Sequence, residues 1–223
     1  MARTRTFDTD AVLDQVVDLF WQHGFDGVAM QDVCAATGLN PGSLYAAFGD
    51  KQGMFVQAMQ RYIQSVSQQA IERLHRQSSA MAGIRDYFAA LVDAMVDGKR
   101  QWGCLVTNTV VAFATREPAI AEAFRLHLTR LEAAFASAIE RAKQAGEVDP
   151  GVATTAAAAF LVCTVQGLNV LARTRPGRAT LEQVCVHALR SLDACGSPAV
   201  APKPGLRPAR TPRSRRSIQP TNS

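Results

Sequence analysis

The sequence predicts an all-α protein with a small N-terminal domain, a larger helical body and a basic C-terminal tail. Apolar residues recur at steps of three and four through most of the first 195 residues, and no segment shows the strict alternation of a half-buried strand. Residues 196–223 hold six of the ten prolines and few residues able to enter a core. We therefore divide the chain into residues 1–50, 51–195 and 196–223.

The first two predicted helices are short and amphipathic. Residues 10–23 carry an apolar stripe that ends at Gly24, a residue type that commonly follows the last turn of a helix. Residues 30–37 place Met30, Val33 and Cys34 on one face, and Gly38 permits the left-handed conformation that ends such a helix. The two stripes are expected to pack against each other.

A third helix is expected after a turn of three residues. The side chain of Asn40 is suited to cap it, Pro41 fits the first helical position, and the next helix begins near Asp50. Helical spacing predicts an inward face and an outward face, formed respectively by Pro41, Leu44, Ala47 and Phe48, and by Gly42, Ser43, Tyr45 and Ala46. Helix, short turn and helix in this order form the helix-turn-helix arrangement, which indicates DNA binding.

Residues 20–55 read FWQHGFDGVAMQDVCAATGLNPGSLYAAFGDKQGMF. This segment resembles the N-terminal domain of the TetR/AcrR family of bacterial transcriptional regulators. The resemblance depends on residues that match in register, namely Phe20, Gly24, Phe25, Thr37, Gly38, Leu39, Leu44, Tyr45, Phe48 and Lys51. It implies a repressor that blocks a promoter until a small molecule releases it.

The resemblance also implies which residues contact DNA. Small residues of the third helix would face the base edges, Tyr45 would reach a phosphate, and Lys51 would hold the DNA backbone. The residues expected to contact DNA are Arg3, Arg5, Gln31, Asn40, Gly42, Ser43, Tyr45, Ala46 and Lys51. For Tyr45 the alternative is an aromatic side chain packed in the core.

Two features depart from the family pattern. Ala29 stands where the family usually has Ser or Thr capping the second helix, and the loss of such a cap costs about 1 kcal/mol. In addition, residues 1–51 hold three basic residues against seven aspartates, a net charge of −4, whereas a DNA-binding domain is expected to be basic. We interpret the aspartates as a face turned away from DNA, with Arg3 and Arg5 on an arm that reaches phosphate or the minor groove.

The tail, residues 196–223, carries six basic residues and no acid, so the remainder of the chain has a net charge of about −1. Its composition predicts disorder. One interpretation is that the tail holds DNA without sequence preference through counterion release, and the alternative is a solubilising appendage without a partner.

Six further helices are predicted in the body, at residues 51–76, 83–97, 104–115, 118–145, 150–174 and 180–193. With the first three they make nine, a layout similar to the regulatory body of the TetR family.

Residues 150–172 contain no charged residue. We interpret them as a buried helix rather than a membrane span, because their polar residues would be costly in lipid and their alanines add little apolar surface. Together with the last helix they are expected to form half of a four-helix bundle across a two-fold axis. The residues predicted at this dimer interface are Phe160, Leu161, Val165, Leu168, Leu181, Val184, Ala188, Leu189 and Leu192.

Family resemblance also implies a ligand pocket among the central helices. The segment WGCLVTN at residues 102–108 places an aromatic, a glycine, a thiol and an amide at a helix start. The predicted ligand-binding residues are Phe88, Trp102, Cys104, Asn108, Phe113, Phe124, His127 and Gln166. Each of them could instead be a plain core residue, and for His127 a surface or satisfied core position is the alternative.

Five widely spaced cysteines without a CxxC pair, and no signal peptide, predict reduced thiols in the cytoplasm. Cys34 and Cys163 are expected in the core. Cys104, near a helix start, is either a reactive sensor of electrophiles or oxidants, or a buried structural thiol.

An enzyme has little support in the sequence. The four histidines are far apart, and no phosphate-binding loop or nucleophile elbow is present, so we expect no catalytic residues, no metal and no cofactor. The predicted function is a cytoplasmic homodimeric repressor that binds a palindromic DNA operator and a small-molecule inducer. A helical carrier or partner-binding protein without specific DNA binding is the alternative.

Overall fold

The structure, a computed structural model, describes residues 7–113 and 118–193. The described residues form ten α-helical segments, a π-helical segment at Ile63–Ser67 and a 3₁₀ turn at Lys99–Trp102. The α-helices are α1 (Thr9–His23), α2 (Met30–Thr37), α3 (Pro41–Phe48), α4 (Lys51–Tyr62), α5 (Gln68–Arg76), α6 (Ala80–Val96), α7 (Leu105–Phe113), α8 (Pro118–Gln144), α9 (Thr154–Ala172) and α10 (Arg178–Arg190).

The predicted all-α class and helix order are confirmed. Residues 51–76 are continuously helical, because the π-helical segment joins α4 to α5 without a break. With α4 and α5 counted as one helix, the described residues form nine helices, as predicted. The starts of the helices differ from the predicted ones by up to four residues. Ser79 starts α6 earlier than predicted by accepting a hydrogen bond from the Ala82 amide at 3.0 Å. Helix α9 begins later than predicted, at Thr154. Before it, the Asp149 side chain accepts a hydrogen bond from the Gly151 amide in a turn.

The helices surround two hydrophobic cores. We call residues 7–62, which comprise α1 to α4, the reading domain. Its core contains Val16, Phe20, Leu44 and Met54, all fully buried. The start of α7, including Leu105, packs into this same core.

The second core belongs to the body and lies between α6, α8, α9 and α10. Phe88 of α6 and Phe135 of α8 stack at its centre with ring centroids 5.9 Å apart. The two cores are joined by α4–α5 and by the segment that leads into α7. The body thus meets the reading domain through one covalent connection and through one packing contact.

Helix α9 is long and apolar enough to cross a membrane by length and composition alone, with a mean hydropathy of 1.6. In this fold it packs against α8 and α10, and Leu161, Leu168 and Asn169 are almost fully buried there. It is therefore a core helix with one face open to solvent. Cys163 lies on the open face and is exposed, so the predicted core position of this thiol is wrong. Cys34 is half-buried against the core of the reading domain.

Candidate nucleic-acid interface

The turn between α2 and α3 is closed by local hydrogen bonds. Gly38 adopts the left-handed conformation, with φ of 68°, and its amide donates to the Cys34 carbonyl at 2.9 Å. Asn40 then caps α3, because its side-chain oxygen accepts from the Ser43 amide at 2.9 Å. Pro41 occupies the first turn, where no amide donor is needed. The predicted cap, first residue and turn of the recognition helix are all confirmed.

Helix α3 packs on the reading domain through its buried face. Leu44 and Phe48 enter the core of the reading domain, whereas Gly42, Tyr45 and Ala46 are exposed and Ser43 is half-buried. Tyr45 is 45% exposed, so it is not the packed core aromatic that was the alternative. Pro41, which helical spacing had placed inward, is exposed as well, because the first residue of the helix lies beyond the edge of the core.

The start of α2 shows what Ala29 changes. Ala29 has no side-chain oxygen to cap the helix, but the Asp32 carboxylate accepts from the Ala29 amide at 2.7 Å. This is half of a capping box, in which a Ser or Thr would supply the reciprocal bond. Gln31 is exposed in the same first turn, next to the open end of the helix.

Charge in the reading domain is unusual for a DNA-binding surface. Residues 7–50 contain no Lys or Arg. Lys51, at the start of α4, lies over the Phe25 ring, with its Nζ 4.3 Å from the ring centroid. Arg61 binds Asp14 through two hydrogen bonds of 2.8 and 2.9 Å and Asp10 through one of 3.1 Å. The hydrogen bonds to Asp14 raise the pKa of Arg61, so this guanidinium is committed to holding α1 against α4.

The predicted DNA-contacting residues thus fall into two groups. The structure brings Asn40, Gly42, Ser43, Tyr45 and Ala46 together on α3, with Gln31 and Lys51 at the ends of the flanking helices. Arg3 and Arg5 lie outside the described residues. The arrangement presents small side chains, one phenol and helix N-termini, which suits close approach to a DNA groove.

Comparison with known proteins agrees with this geometry. The profile described as "Bacterial regulatory proteins, tetR family" matches residues 12–58, and that described as "Tetracyclin repressor-like, C-terminal domain" matches residues 80–188. The HTH-type transcriptional repressor ComR of Escherichia coli (strain K12) is 30% identical over 189 residues, which cover 84% of this chain and 90% of ComR. The chain belongs to the TetR family of bacterial transcriptional regulators.

Two further relatives extend the comparison. The uncharacterized HTH-type transcriptional regulator YezE of Bacillus subtilis (strain 168) is 32% identical over 149 residues, 67% of this chain and 77% of YezE. A cysteine mutant of the TetR family regulator CifR, solved with a 26-bp double-strand operator DNA, superposes with a TM-score of 0.73 at 27% identity, covering 84% of this chain and 98% of CifR. The protein is therefore a soluble DNA-binding transcriptional repressor of the TetR family, not an enzyme.

In this TetR-family protein the reading domain is tied to the body through residues 102–106. The Trp21 indole of α1 donates to the Gly103 carbonyl at 3.0 Å, and the Trp21 ring packs edge-on against Tyr62 and Trp102. Gly103 has a φ of 80°, and a Cβ there would lie 2.5 Å from the Asn169 carbonyl oxygen of α9. This close approach requires glycine, and it places α1 and α9 on two sides of one residue.

A small cavity lies beside this junction, between the π-helical segment, α5, α6, α8, α9 and the residue before α7. It has a volume of about 10 Å³, roughly the space for one water molecule. Of the predicted ligand-binding residues, the structure brings Cys104, His127 and Gln166 to its wall. Ser67, Tyr87 and Asn169 line it as well but were not predicted from the sequence; the polar Asn169 in an uncharged helix was the available signal.

The other predicted ligand-binding residues lie elsewhere. Phe88 faces the body core, where it packs on Phe135. It also borders a groove between α6 and α10. Trp102 and Phe124 pack against the reading-domain core, and the Asn108 amide donates to the Trp102 carbonyl at 2.7 Å. The Phe113 side chain lies outside the described part of the chain.

Cys104 is 2% exposed, and the Tyr62 hydroxyl donates to its sulfur at 3.5 Å. Burial at this level favours the structural thiol over the reactive sensor, because reactive cysteines are partly exposed. His127 is also buried, at 7% exposure, which agrees with the core alternative.

The open face of α9 and α10 differs from the predicted one. Leu161, Val165, Leu181 and Leu192 are at most 2% exposed and point into the protomer's own core, so they have no surface to give to a partner. The exposed face holds an apolar groove of about 690 Å³. Among the predicted residues, Phe160 and Val184 are exposed there, and Leu168 and Ala188 form its floor. Leu189 is half-buried and lines the other groove, between α6 and α10. The groove is also lined by residues outside the predicted interface, namely Thr164, Gly167, Leu171, Thr180, Gln183 and His187.

Proposed function

We propose that this repressor works in the cytoplasm as a homodimer that binds a palindromic operator and leaves it when a small molecule enters the body. The observation that supports the dimer is the apolar groove on α9 and α10. Phe160 is 48% exposed and Val170 is 53% exposed on a helix without any charged residue. Large apolar side chains on such a face are typical of surfaces that bind another protein.

A two-fold dimer explains how a short, uncharged recognition helix could find its site. Two copies of α3 related by a two-fold axis bind half-sites related by the same symmetry, about one helical turn of DNA or more apart. Each α3 offers Gly42, Ser43 and Ala46 to the base edges and Tyr45 to a phosphate. Because these side chains make few base-specific hydrogen bonds, the sequence-dependent shape of the DNA would contribute to specificity.

The proposal for release depends on the junction at Gly103. An effector larger than one water molecule must expand the cavity at Cys104, His127 and Gln166. The walls of this cavity include Ser67 in the π-helical segment that continues from α4, and Asn169 directly beside Gly103. Expansion would therefore displace α4 and the Trp21–Gly103 contact, and with them the spacing of the two reading domains.

Selection of binding sites from random duplex DNA tests the operator part of the proposal. We expect the purified protein to enrich a palindrome. The variant Ala46→Asp, which adds a negative charge to the exposed face of α3, should abolish the enrichment. Ala133→Asp adds the same charge at an exposed position of α8 and should leave the enrichment unchanged.

Enrichment of the same sequence by Ala46→Asp would show that α3 does not read the operator. Weak binding without any sequence preference, from the unmodified protein as well, would favour the alternative of a carrier or partner-binding protein.

A further inference from the structure

A groove on the surface of the body lies next to the small inner cavity. This entry groove, of about 180 Å³, runs between α5 and α6, and its walls include Ala70, Arg73, Tyr87 and Ala90. Ala70 and Tyr87 also line the inner cavity of about 10 Å³. The two spaces are therefore neighbours, separated by the side chains of these two residues.

The partition between the two spaces consists mainly of one ring. Ala70 contributes only a methyl group, whereas Tyr87 is 5% exposed and packs edge-on against Phe135, with ring centroids 5.0 Å apart. Among the described residues that line the entry groove, Tyr87 is the only aromatic one, and Ala90 and Ala94 keep the α6 side of the groove open. A displacement of the Tyr87 ring would join the entry groove to the inner cavity.

The inner cavity is polar but carries no formal charge from acidic residues, lysine or arginine. Polar groups come from Ser67, Cys104, His127, Gln166 and Asn169, and none of the described residues that line it is Asp, Glu, Lys or Arg. Burying a charged molecule without a partner of opposite charge is strongly disfavoured. The cavity therefore suits an uncharged molecule that forms hydrogen bonds.

The charge at the entry groove is balanced. Arg73 lies on its wall, and the Arg73 guanidinium is 3.8 Å from the Asp86 carboxylate across the gap between α5 and α6. The remaining wall is formed by apolar side chains and Gln69. An uncharged molecule with a short apolar part would thus meet a compatible surface from the mouth of the groove inwards.

We propose that small uncharged molecules pass from the surface to the inner cavity through the entry groove, with the Tyr87 ring as the barrier that moves, and that the effector of this repressor belongs to this class. The proposal rests on the release proposed above, in which a small molecule enters the body. It adds the entry path and the chemical class, which is a neutral molecule with a hydrogen-bonding group for Gln166 or Asn169 and an apolar part for the α6 side of the groove.

Alkylation of Cys104 reports access to the inner cavity. Cys104 lies on the cavity wall and is 2% exposed, so a reagent must reach the cavity to modify it. The full-length protein is treated with iodoacetamide, which is uncharged, at about pH 8, where part of the thiol is ionised. Mass spectrometry gives the rate at each cysteine. Cys185, 6% exposed and outside both spaces, reports general opening of the body.

Filling the entry groove tests the path. Ala90→Trp places an indole in the groove and should slow alkylation of Cys104 by at least about fivefold, because access then needs a larger opening of the body. Ala90→Leu should give a smaller decrease. Ala89→Trp is the matched control, since Ala89 is exposed one position earlier and borders the groove between α6 and α10 instead. Loss of stability would speed the alkylation of both Cys104 and Cys185, so a decrease confined to Cys104 cannot result from unfolding.

A charged reagent tests the chemical class. Iodoacetate transfers a group of similar size but is an anion. We expect the ratio of the iodoacetamide rate to the iodoacetate rate at Cys104 to be at least about tenfold higher in the folded protein than in the urea-unfolded chain. An equal or lower ratio, as a cationic His127 would produce, would overturn the uncharged class. Unchanged Cys104 alkylation in Ala90→Trp, or alkylation of Cys104 only together with Cys185 during general opening, would overturn the path.

The proposal and the operator function fail separately, because the alkylation rates are measured without DNA and site selection is performed without thiol reagents. If the unmodified protein selects no operator, the function proposed for the reading domain fails, but the Cys104 rates still decide the path. If an operator is selected while Ala90→Trp and Ala89→Trp give equal Cys104 rates, the operator function stands and the entry path is wrong.

Discussion

Ala29 leaves α2 with half of a capping box. The Asp32 carboxylate accepts from the Ala29 amide, but no side chain at position 29 returns a bond to the first turn of the helix. We predict that Ala29→Ser completes the box and raises the free energy of unfolding by about 0.5–1 kcal/mol. Urea denaturation measures the difference, provided that the free energy of unfolding depends equally on urea concentration in both proteins.

Ala36→Ser is the matched control for Ala29→Ser, because Ala36 is exposed in the last turn of the same helix and caps nothing. A serine there should give no gain, since its hydroxyl competes with helical hydrogen bonds. Equal effects of the two substitutions would show that stability depends on composition rather than on the cap.

Single residues were the most predictable part of the molecule. Asn40, Pro41 and Asp50 act over two or three residues, so their roles at the starts of α3 and α4 could be inferred from type and spacing alone. The need for glycine at position 103 could not be inferred in this way. It arises from the nearby backbone carbonyl of Asn169, which is sixty-six positions away in the sequence. Local chemistry is visible in a sequence, whereas close approach between distant segments is not.

Helix α6 begins against a carboxylate from another element. The Met81 amide donates to Glu147 at 2.9 Å, and this bond, with that of Ser79, holds the pKa of Glu147 below its ordinary value of 4.5. The folded state therefore favours the ionised form. The stabilisation is fully present above about pH 4.5 and is lost as the pH falls through the lower folded pKa.

We predict that Glu147→Gln lowers the urea midpoint at pH 7 and that the difference from the unmodified protein shrinks below pH 4. Glu72→Gln is the control, because Glu72 is exposed on α5 and pairs only with Arg76 of the same helix among the ion pairs of the described residues. A difference for Glu147→Gln that stays constant between pH 7 and pH 3 would show that ionisation of Glu147 does not stabilise the start of α6.

Helix α9 shows where prediction of an element fails. Its existence and its place in a bundle were predictable from its length and lack of charge, but its open face was not. In α1 or α8, polar residues mark the solvent side, whereas in α9 alanine, valine and leucine occur all around the helix. The predicted interface was therefore rotated towards the protomer's own core, onto Leu161 and Val165, and Cys163 was placed inside when it lies outside.

At the scale of the whole molecule, the two cores and the two routes between them decide how the protein is organised. Burial of Leu105 and Val106 in the reading-domain core makes the start of α7 part of both halves. A change in the body thus has a direct mechanical path to α1 through Trp21 and Gly103. The sequence indicated a two-part molecule, but the division of contacts between the parts depends on the folded arrangement.

The proposed dimer can be broken at a residue that the protomer does not use. A Cβ added at Gly167 meets no atom within 4 Å, and Gly167 lies in the groove between Phe160 and Leu171. We predict that Gly167→Arg folds normally but is monomeric in sedimentation, because the new guanidinium projects into the space that a second copy would fill. Ala133→Arg, at an exposed position of α8, should remain dimeric.

Cysteine labelling shows whether α9 is the surface that dimerisation covers. In the proposed dimer Cys163 is shielded, so iodoacetamide should modify it faster in Gly167→Arg than in the unmodified protein, with Cys104, buried inside each protomer, as the internal reference. The monomer should also lose its preference for a full palindrome over a single half-site, since one α3 cannot span both. A stable Gly167→Arg dimer with unchanged Cys163 labelling would place the interface on another face of the body, and the palindrome would then have to be read by a dimer of different geometry.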